Sequence, residues 1–364
     1  MIKSASSPIH SHQAVQRLTA LWALNEAGLG GLMHAVGSSF TGAFVGGAAV
    51  VLISLIAHFA DHKLSAILRA LTVVLIIKLM VSPHSPLQAY FAVTFQAVAG
   101  VVLFSLIANH RLAAMLLAII GLMESALQKL LVTTLVFGKS IWVAIDEFTN
   151  FVVHNVLKVS AAPVDFSASL WLIGIYLGIY LLFGIAFGWV AGALPSQIRL
   201  ALQTPAFVPQ HSSAPANDAT AQGRKPRPWW RRPWVAFLVP LVFIVLTMTF
   251  LKGMVDGSGR GALAGAYVAL RATLILVVWY FVLAPVLMRA LRRFLKRKST
   301  RYSAEVEGAL QLLPELKSYA RQLWSTPAQV AGWRRWRQML IALIAYALTF
   351  EPVGVTRAME QQVR

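Results

Sequence analysis

Apolar segments long enough to cross a lipid bilayer are the feature that most restricts the fold of this chain. The clearest of them, Phe40–Phe59, contains no Asp, Glu, Lys or Arg. About 20 such residues, as a helix, cross the roughly 30 Å hydrocarbon core of a bilayer. Because lipid offers a backbone no hydrogen bonds, a spanning segment is helical or belongs to a closed barrel. No strand-like alternation is long enough for a barrel, so the sequence predicts an all-α, polytopic helical membrane protein.

Composition excludes several other classes of protein. Of the 364 residues 58% are hydrophobic and only 12% are charged, which is too little charge to cover a soluble globule of this size. The excess of 32 Lys and Arg over 13 Asp and Glu indicates basic loops on one side of a membrane rather than nucleic-acid binding. The absence of cysteine excludes disulfides, thiolate metal sites and cysteine nucleophiles.

We expect six spans in the N-terminal half and two more after residue 232. Their predicted positions are Leu18–Val36, Phe40–Phe59, Ala66–Val81, Leu87–Ala108, Leu112–Phe137, Ser167–Leu194, Val235–Leu251 and Ala262–Val286. A ninth apolar run, Met339–Phe350, is either a half-inserted segment or part of a tilted span. Basic residues fall mainly on the side of the N-terminus, which predicts a cytoplasmic N-terminus. We expect the membrane to be a bacterial inner membrane.

These segments predict four regions: a cytoplasmic lead (1–13), a six-span module (14–195), a flexible basic, proline-rich cytoplasmic linker (196–232) and a second membrane region (233–364). Between the fifth and sixth spans, 138–164 is expected to be a long outer connection. Beyond the last clear span, Val306, Ala309 and Leu316 recur at helical spacing and predict an amphipathic helix on the cytoplasmic face. A second such helix is expected from Thr326 onward.

Polar side chains inside predicted spans are costly and usually face a partner or a cavity, and four of them are the candidates for a function. They are Glu26, Lys78, Gln96 and Glu124. One interpretation is that Glu124 pairs with Lys78 or Lys129 and only fixes packing, and the other is that these groups line a ligand cavity. Glu26 has no obvious partner nearby in the sequence, which favours a functional role for it.

Signatures of catalysis and of metal binding are missing from the sequence. There is no nucleophile elbow, no His-Glu-x-x-His motif and no intact phosphate-binding loop. The histidines show no helical metal-binding pair within a predicted span interior. We therefore expect no catalytic residue, no metal site and no cofactor, and any energy for uphill transport must come from another chain.

The turn Ser82-Pro83-His84-Ser85-Pro86 after span three, together with six compact spans and a long outer connection, resembles the substrate-binding S components of energy-coupling factor (ECF) transporters. The resemblance implies uptake of a small micronutrient or vitamin-like molecule through a pocket near the outer surface. By position, the substrate contacts it implies are His34, His84, Trp142, Asp146 and Asn150, with Glu26, Gln96 and Glu124 deeper. It also implies that Ala23 and Ala27, four residues apart, dock a coupling (T) component, whether in this chain or a separate one.

The C-terminal part more weakly resembles a T component, whose two cytoplasmic coupling helices end in short arginine motifs. The matching residues here are Arg321, Arg334 and Arg335. They imply docking to P-loop ATPase subunits in separate chains, so the expected partners are the substrate, these ATPases and membrane lipids, with no nucleic acid.

Two other functions fit the sequence. A membrane scaffold or regulatory subunit would use the basic cytoplasmic surface to recruit a partner or anionic lipids. A membrane-embedded lipid or prenyl enzyme would need acid, base or metal groups gathered at one depth, and the sequence offers only scattered ones.

Overall fold

Helices are the regular elements throughout the part of the chain that the structure describes. The structure, a computed structural model, describes residues 11–29, 41–82, 85–156, 167–203, 259–325 and 333–349. The helices are α1 (Ser11–Leu24), α2 (Thr41–Phe59), α3 (Lys63–Val81), α4 (Leu87–Leu106), α5 (His110–Phe137), α6 (Ser140–Phe151), α7 (Ala168–Gln203), α8 (Gly259–Val277), α9 (Ala284–Ser299), α10 (Ser303–Ser325) and α11 (Trp333–Thr349). Short π-helical segments, Asn25–Leu29, Val152–Val156 and Val278–Leu283, extend α1, α6 and α8. No strand occurs within these ranges, and the predicted all-α fold is confirmed.

Six of the described helical segments are long and apolar enough to cross a bilayer, as expected for a multi-pass membrane protein. They are Gly42–Phe59, Lys63–Val81, Leu87–Leu106, His110–Phe137, Ala168–Leu200 and Tyr267–Ser299. The first five match the second to sixth predicted spans. The last overlaps the predicted span Ala262–Val286 and continues past it. Of the other two, Leu18–Val36 lies only partly within the described residues, and Val235–Leu251 lies outside them.

Two stretches expected to be connections are helical. The region 138–164 contains α6, whose apolar and polar residues separate onto two faces of a helix. Helix α7 continues through Pro195 to Gln203, past the predicted start of the linker. Leu194 and Ile198, on either side of that proline, are fully buried. Tertiary packing therefore holds the helix together although proline removes one backbone donor.

The described helices fall into two compact units. The first comprises the described residues within 1–128, 174–209 and 287–364, and the second those within 129–173 and 210–286. Each unit is described by itself below. The four regions expected from the sequence are divisions along the chain and stay predictions.

Helix α1 is the element around which the first unit packs. It contacts α2, α3, α10 and α11. Leu18 and Trp22 are fully buried, as are the small residues Ala14, Ala20 and Ala23. Small side chains let neighbouring backbones approach closely, which explains how one short helix accommodates four neighbours.

The amphipathic helix expected after residue 302 is present as α10, and it packs on α1. The predicted apolar positions Val306, Ala309 and Leu316 are buried in the core of the first unit. The approach to α1 is close at Gly308, where a Cβ atom would lie 2.7 Å from Nε2 of Gln16.

Helix α11 is joined to both α1 and α10. The rings of Tyr319 in α10 and Tyr346 in α11 stack with their centroids 3.8 Å apart. The guanidinium of Arg17 in α1 donates a hydrogen bond to the carbonyl oxygen of Leu348. Helix α11 includes the apolar run from Met339, and its 17 residues measure about 26 Å. Whether that run is a half-inserted segment or part of a tilted span stays a prediction.

A stripe of glycines brings α7 against α5 in the first unit. Gly184, Gly188 and Gly192 are spaced four residues apart along one face of α7. A Cβ atom would lie 2.9 Å from the Cα atom of Ile119 at Gly184 and 2.8 Å from that of Met115 at Gly188. The reversed order of the contacts shows that the helices run antiparallel. Glycine is needed here because the opposing atoms are backbone, which cannot move aside as a side chain does.

We predict that Gly188→Ala lowers the thermal stability of the detergent-solubilised protein by about 1–3 kcal/mol, the usual cost of overpacking. Gly178→Ala in the same helix is the matched control, because a Cβ there meets nothing within 4 Å. Thermal unfolding followed by circular dichroism compares the two variants. Equal melting temperatures would contradict the close helix contact.

Candidate functional site

An ion pair lies inside the first unit, between Glu26 and Lys78. Glu26 is in the π-helical segment that follows α1, and Lys78 is in the last turn of α3. The Lys78 Nζ atom is 2.6 Å from Glu26 Oε2, and the two side chains are only 5% and 3% exposed. Burying two charges is costly unless they are well paired, so the pair fixes the end of α1 against α3.

This pair corrects one sequence interpretation. One interpretation paired Glu124 with Lys78 or Lys129, and Glu26 had no obvious partner nearby in the sequence. The structure joins Lys78 to Glu26 across 52 positions of the sequence. The oxygen Oε2 of Glu124 is buried and accepts no hydrogen bond from the described residues.

Three further buried polar residues lack complete hydrogen bonding: Tyr90, which contacts Lys78, and Asn25 and Trp22, which lie within four residues of Glu26 in the chain. The ring of Tyr90 in α4 lies under the ammonium group, with Lys78 Nζ 5.7 Å from the ring centroid. Asn25 Nδ2 donates a 2.9 Å hydrogen bond to the carbonyl oxygen of Val45 in α2. The atoms Tyr90 Oη, Asn25 Oδ1 and Trp22 Nε1 are buried, and no described group bonds to them. Trp22 lies four residues before Glu26, approximately on the same side of α1.

We call Trp22, Asn25, Glu26, Lys78 and Tyr90 the ion-pair cluster. Buried polar atoms in proteins nearly always have a hydrogen-bond partner, so these three orphaned atoms are candidates for hydrogen bonds to a bound polar molecule. The cluster offers a cation, an anion, a carbonyl acceptor, an indole donor and a phenol. These groups can orient a ligand that carries charged and hydrogen-bonding groups.

Gln96, in α4, lies against α2 one residue after the position that Asn25 binds. It is 2% exposed. A Cβ atom on Gly46 would lie 2.8 Å from its Nε2 atom, and one on Gly121 would lie 3.1 Å from its Cγ atom. Gly46 directly follows Val45, the residue that binds Asn25. The side chains of Asn25 and Gln96 therefore reach α2 at its successive residues Val45 and Gly46. Gly46 of α2 and Gly121 of α5 leave space for the Gln96 amide.

Of the predicted outer contacts, Trp142, Asp146 and Asn150 lie on α6 in the second unit, whereas His34 and His84 lie outside the described residues. The Trp142 indole donates a 3.0 Å hydrogen bond to Thr134 Oγ1. Asn150 is half-buried. The structure thus places Trp142 in contact with α5, and the ligand-binding role of all five residues stays a prediction.

Asp146 caps the start of α7. Its carboxylate accepts hydrogen bonds from the backbone N–H of Ser169, at 2.6 Å, and from the Ser169 hydroxyl, at 2.9 Å. The first N–H groups of a helix have no partner within it, and a carboxylate there is stabilising. The backbone hydrogen bond from Ser169 is the main cause that lowers the pKa of Asp146.

The predicted docking residues differ in their surroundings. Ala23 is fully buried within the first unit, and Ala27 is half-buried. Arg321 is exposed on α10, while Arg334 and Arg335 belong to the first turn of α11. Their roles in coupling stay predictions.

A cavity of about 230 Å³ lies at the other end of α1 from Glu26. Its lining includes Ser11 and Gln16 of α1, Asp61 of the α2–α3 link, Arg69 of α3 and Glu305 of α10. The Ser11 hydroxyl donates a hydrogen bond to Asp61. This cavity was not predicted, since it forms only where three helices distant in sequence meet. Among the described residues, no group of three or more His, Cys, Asp or Glu side chains is arranged to hold a metal ion.

Comparison with known proteins gives no relative: no protein-family model, no curated protein and no solved structure matches the chain.

We predict that removing one partner of the ion pair is more damaging than removing both charges. Lys78→Met leaves a buried carboxylate without its cation, a change that costs about 3–5 kcal/mol. Glu26→Gln combined with Lys78→Met should recover at least half of the lost stability. A double-mutant cycle of thermal unfolding midpoints measures the coupling. Additive effects of the two single variants would contradict the pair.

We predict that the Asp146 cap stabilises the protein at neutral pH and not in acid. Because folding lowers the pKa of Asp146, its contribution is complete above the unfolded value of about 3.9 and disappears as pH falls through the folded pKa. Asp146→Ala should therefore melt below wild type at pH 7, with the difference narrowing below pH ~4. Glu147→Ala removes the same charge from the neighbouring exposed residue and serves as control. A difference that stays constant down to pH ~3 would rule out the carboxylate as its cause.

Proposed function

We propose that this chain is a membrane transport protein that binds a small micronutrient or vitamin-like molecule within its helical bundle. The observation that carries the proposal is the ion-pair cluster, which combines a buried ion pair with three buried polar atoms that have no partner among the described residues. If the ion pair were purely structural, we would expect the neighbouring polar atoms to have hydrogen-bond partners, since each buried polar group without one costs about 1–3 kcal/mol. A polar ligand would supply the missing hydrogen bonds.

The more specific proposal is a substrate-binding and coupling subunit of an ECF-type importer in the bacterial inner membrane, with its N-terminus in the cytoplasm. The resemblance of the Ser82–Pro86 region motivates it. The packing of α10 on α1 supports it, because an amphipathic coupling helix then contacts the same helix that supplies Trp22, Asn25 and Glu26. Exposed Arg321 on α10 would be available to P-loop ATPase subunits in separate chains, and the protein itself would bind its substrate without catalysing a reaction.

A membrane scaffold or regulatory subunit is the second candidate. It is favoured by the exposed charges of α10, among them Glu307, Lys317 and Arg321, on a helix whose apolar side is already buried in the chain's own core. Such a face would recruit a cytoplasmic partner without any solute. A lipid-processing or prenyl-processing enzyme has less support, because the buried polar groups form an ion pair rather than a metal or acid–base site.

Native mass spectrometry of the gently extracted full-length protein tests the transport proposal. We expect one retained small molecule on the wild-type protein, together with co-purifying ATPase subunits. Tyr90→Phe should reduce the retained fraction about threefold to tenfold, the effect of one lost hydrogen bond. Tyr280→Phe is the matched control, because Tyr280 is 61% exposed on an apolar helical segment.

The same spectra separate the candidates. A folded protein that never carries a small molecule, but retains a protein partner through α10, would support the scaffold and contradict transport. A retained molecule that is unaffected by Tyr90→Phe and by the double variant of Glu26 and Lys78 would place the binding site elsewhere.

A further inference from the structure

Four exposed basic side chains line one side of α9, close to the end of the long apolar segment Tyr267–Ser299. They are Arg292, Arg293, Lys296 and Arg297, which we call the α9 basic face. In the described part of the chain no carboxylate lies within 4 Å of any of them. Helix α9 itself contains no acidic residue. This face is therefore a concentrated positive charge that the described protein does not neutralise.

The position of this face relative to a bilayer follows from the sequence of the helix. Between Arg271 and Arg289 the chain carries no charged residue, and the run 272–288 measures about 26 Å as a helix. That length approaches the roughly 30 Å hydrocarbon core. The α9 basic face starts one turn beyond this run, about 6 Å from it, which is roughly the thickness of one headgroup layer, and ends about 14 Å from it.

Packing on the opposite side fixes the direction of the charges. Met288 and Leu291 pack against the core of the first unit, and Leu295 belongs to it with 1% exposure. The helix therefore cannot rotate its basic side into the protein. Beside the basic face, Phe294 is 54% exposed, and Lys298 Nζ lies 5.9 Å from the centroid of its ring. An exposed aromatic ring among cations is typical of a membrane interface, where the ring enters the acyl boundary and the charges remain at the headgroups.

We propose that the α9 basic face binds the headgroups of anionic phospholipids in the adjacent leaflet. Clusters of Lys and Arg directly after a transmembrane helix attract anionic lipid, and each basic residue near such a surface strengthens binding about fivefold. Nucleic acid and acidic proteins also bind cations, but neither would account for an exposed phenylalanine at the depth of the headgroups. The inference does not depend on the transport proposal, because it rests on α9 and on the apolar run that leads into it.

The test is native mass spectrometry of the full-length protein in neutral detergent, titrated with phosphatidylglycerol or with phosphatidylcholine. The wild-type protein should retain phosphatidylglycerol at least tenfold more strongly than phosphatidylcholine. Added salt should weaken this preference. Arg292→Gln, Arg293→Gln and Lys296→Gln together should abolish it. The matched control is Lys317→Gln, Arg321→Gln and Arg337→Gln together, which removes the same number of arginines and lysines from exposed positions of α10 and α11.

A second triple variant, Arg292→Lys, Arg293→Lys and Lys296→Arg, keeps the charge and should keep the preference. Circular dichroism of each variant checks that the helices are retained. The proposal is overturned if wild type retains both lipids equally, or if the control triple loses the preference as fully as the α9 triple. Stronger competition by an RNA oligonucleotide or a polyaspartate peptide than by phosphatidylglycerol would also overturn it.

Discussion

The buried ion pair between Glu26 and Lys78 is the interaction on which the arrangement of the first unit depends. Two opposite charges 2.6 Å apart inside an apolar bundle attract each other strongly, but each has lost its hydration. The pair therefore tolerates little displacement: if the end of α1 moved away from α3, two uncompensated charges would remain in a poorly polarisable interior. This restricts the π-helical segment Asn25–Leu29 to one position, and with it Asn25 and Trp22.

Helix α1 links this constraint to the rest of the unit. Its C-terminal end contributes to the ion-pair cluster, and its N-terminal end lines the cavity beside Asp61, Arg69 and Glu305. Between these ends α10 packs along it, with Gly308 against Gln16. A displacement of α10 would therefore reach the cluster through one rigid helix. Such an element is the physical requirement for coupling a cytoplasmic event to a site inside a membrane bundle, whether the event is ATP hydrolysis or the binding of a regulator.

Hydropathy was sufficient to locate six of the eight predicted spans as long apolar helices, because the cost of exposing backbone to lipid makes a long apolar run helical whatever its neighbours are. The spacing of Val306, Ala309 and Leu316 likewise identified α10, since an amphipathic period depends only on the local sequence. Pro195 was a poor guide to the end of α7. Burial of Leu194 and Ile198 outweighs the loss of one hydrogen bond, and burial is not visible in a local sequence pattern.

The ion-pair cluster was harder to predict from the sequence than the spans were. Glu26, Gln96 and Glu124 were recognised as polar groups in apolar helices, but the partner of Glu26 was not, because contacts between distant segments depend on how the helices assemble. Trp22 and Tyr90 were missed for the same reason: only the structure shows that their polar atoms lack partners. The spacing of Trp22 four residues before Glu26 was the one local signal. The cap formed by Asp146 was also missed, because Ser169, which it binds, lies 23 positions later in the sequence and no local pattern links the two.

An experimental structure of the full-length protein in a lipid nanodisc, purified without exposure to harsh detergent, would test the central claim most directly. The feature to examine is the experimental density map in the space between Lys78, Tyr90 and Asn25. Our account predicts a bound non-protein molecule that hydrogen-bonds to at least one of the three. Continuous protein packing there, with Tyr90 Oη, Asn25 Oδ1 and Trp22 Nε1 all bonded to protein groups, would contradict it.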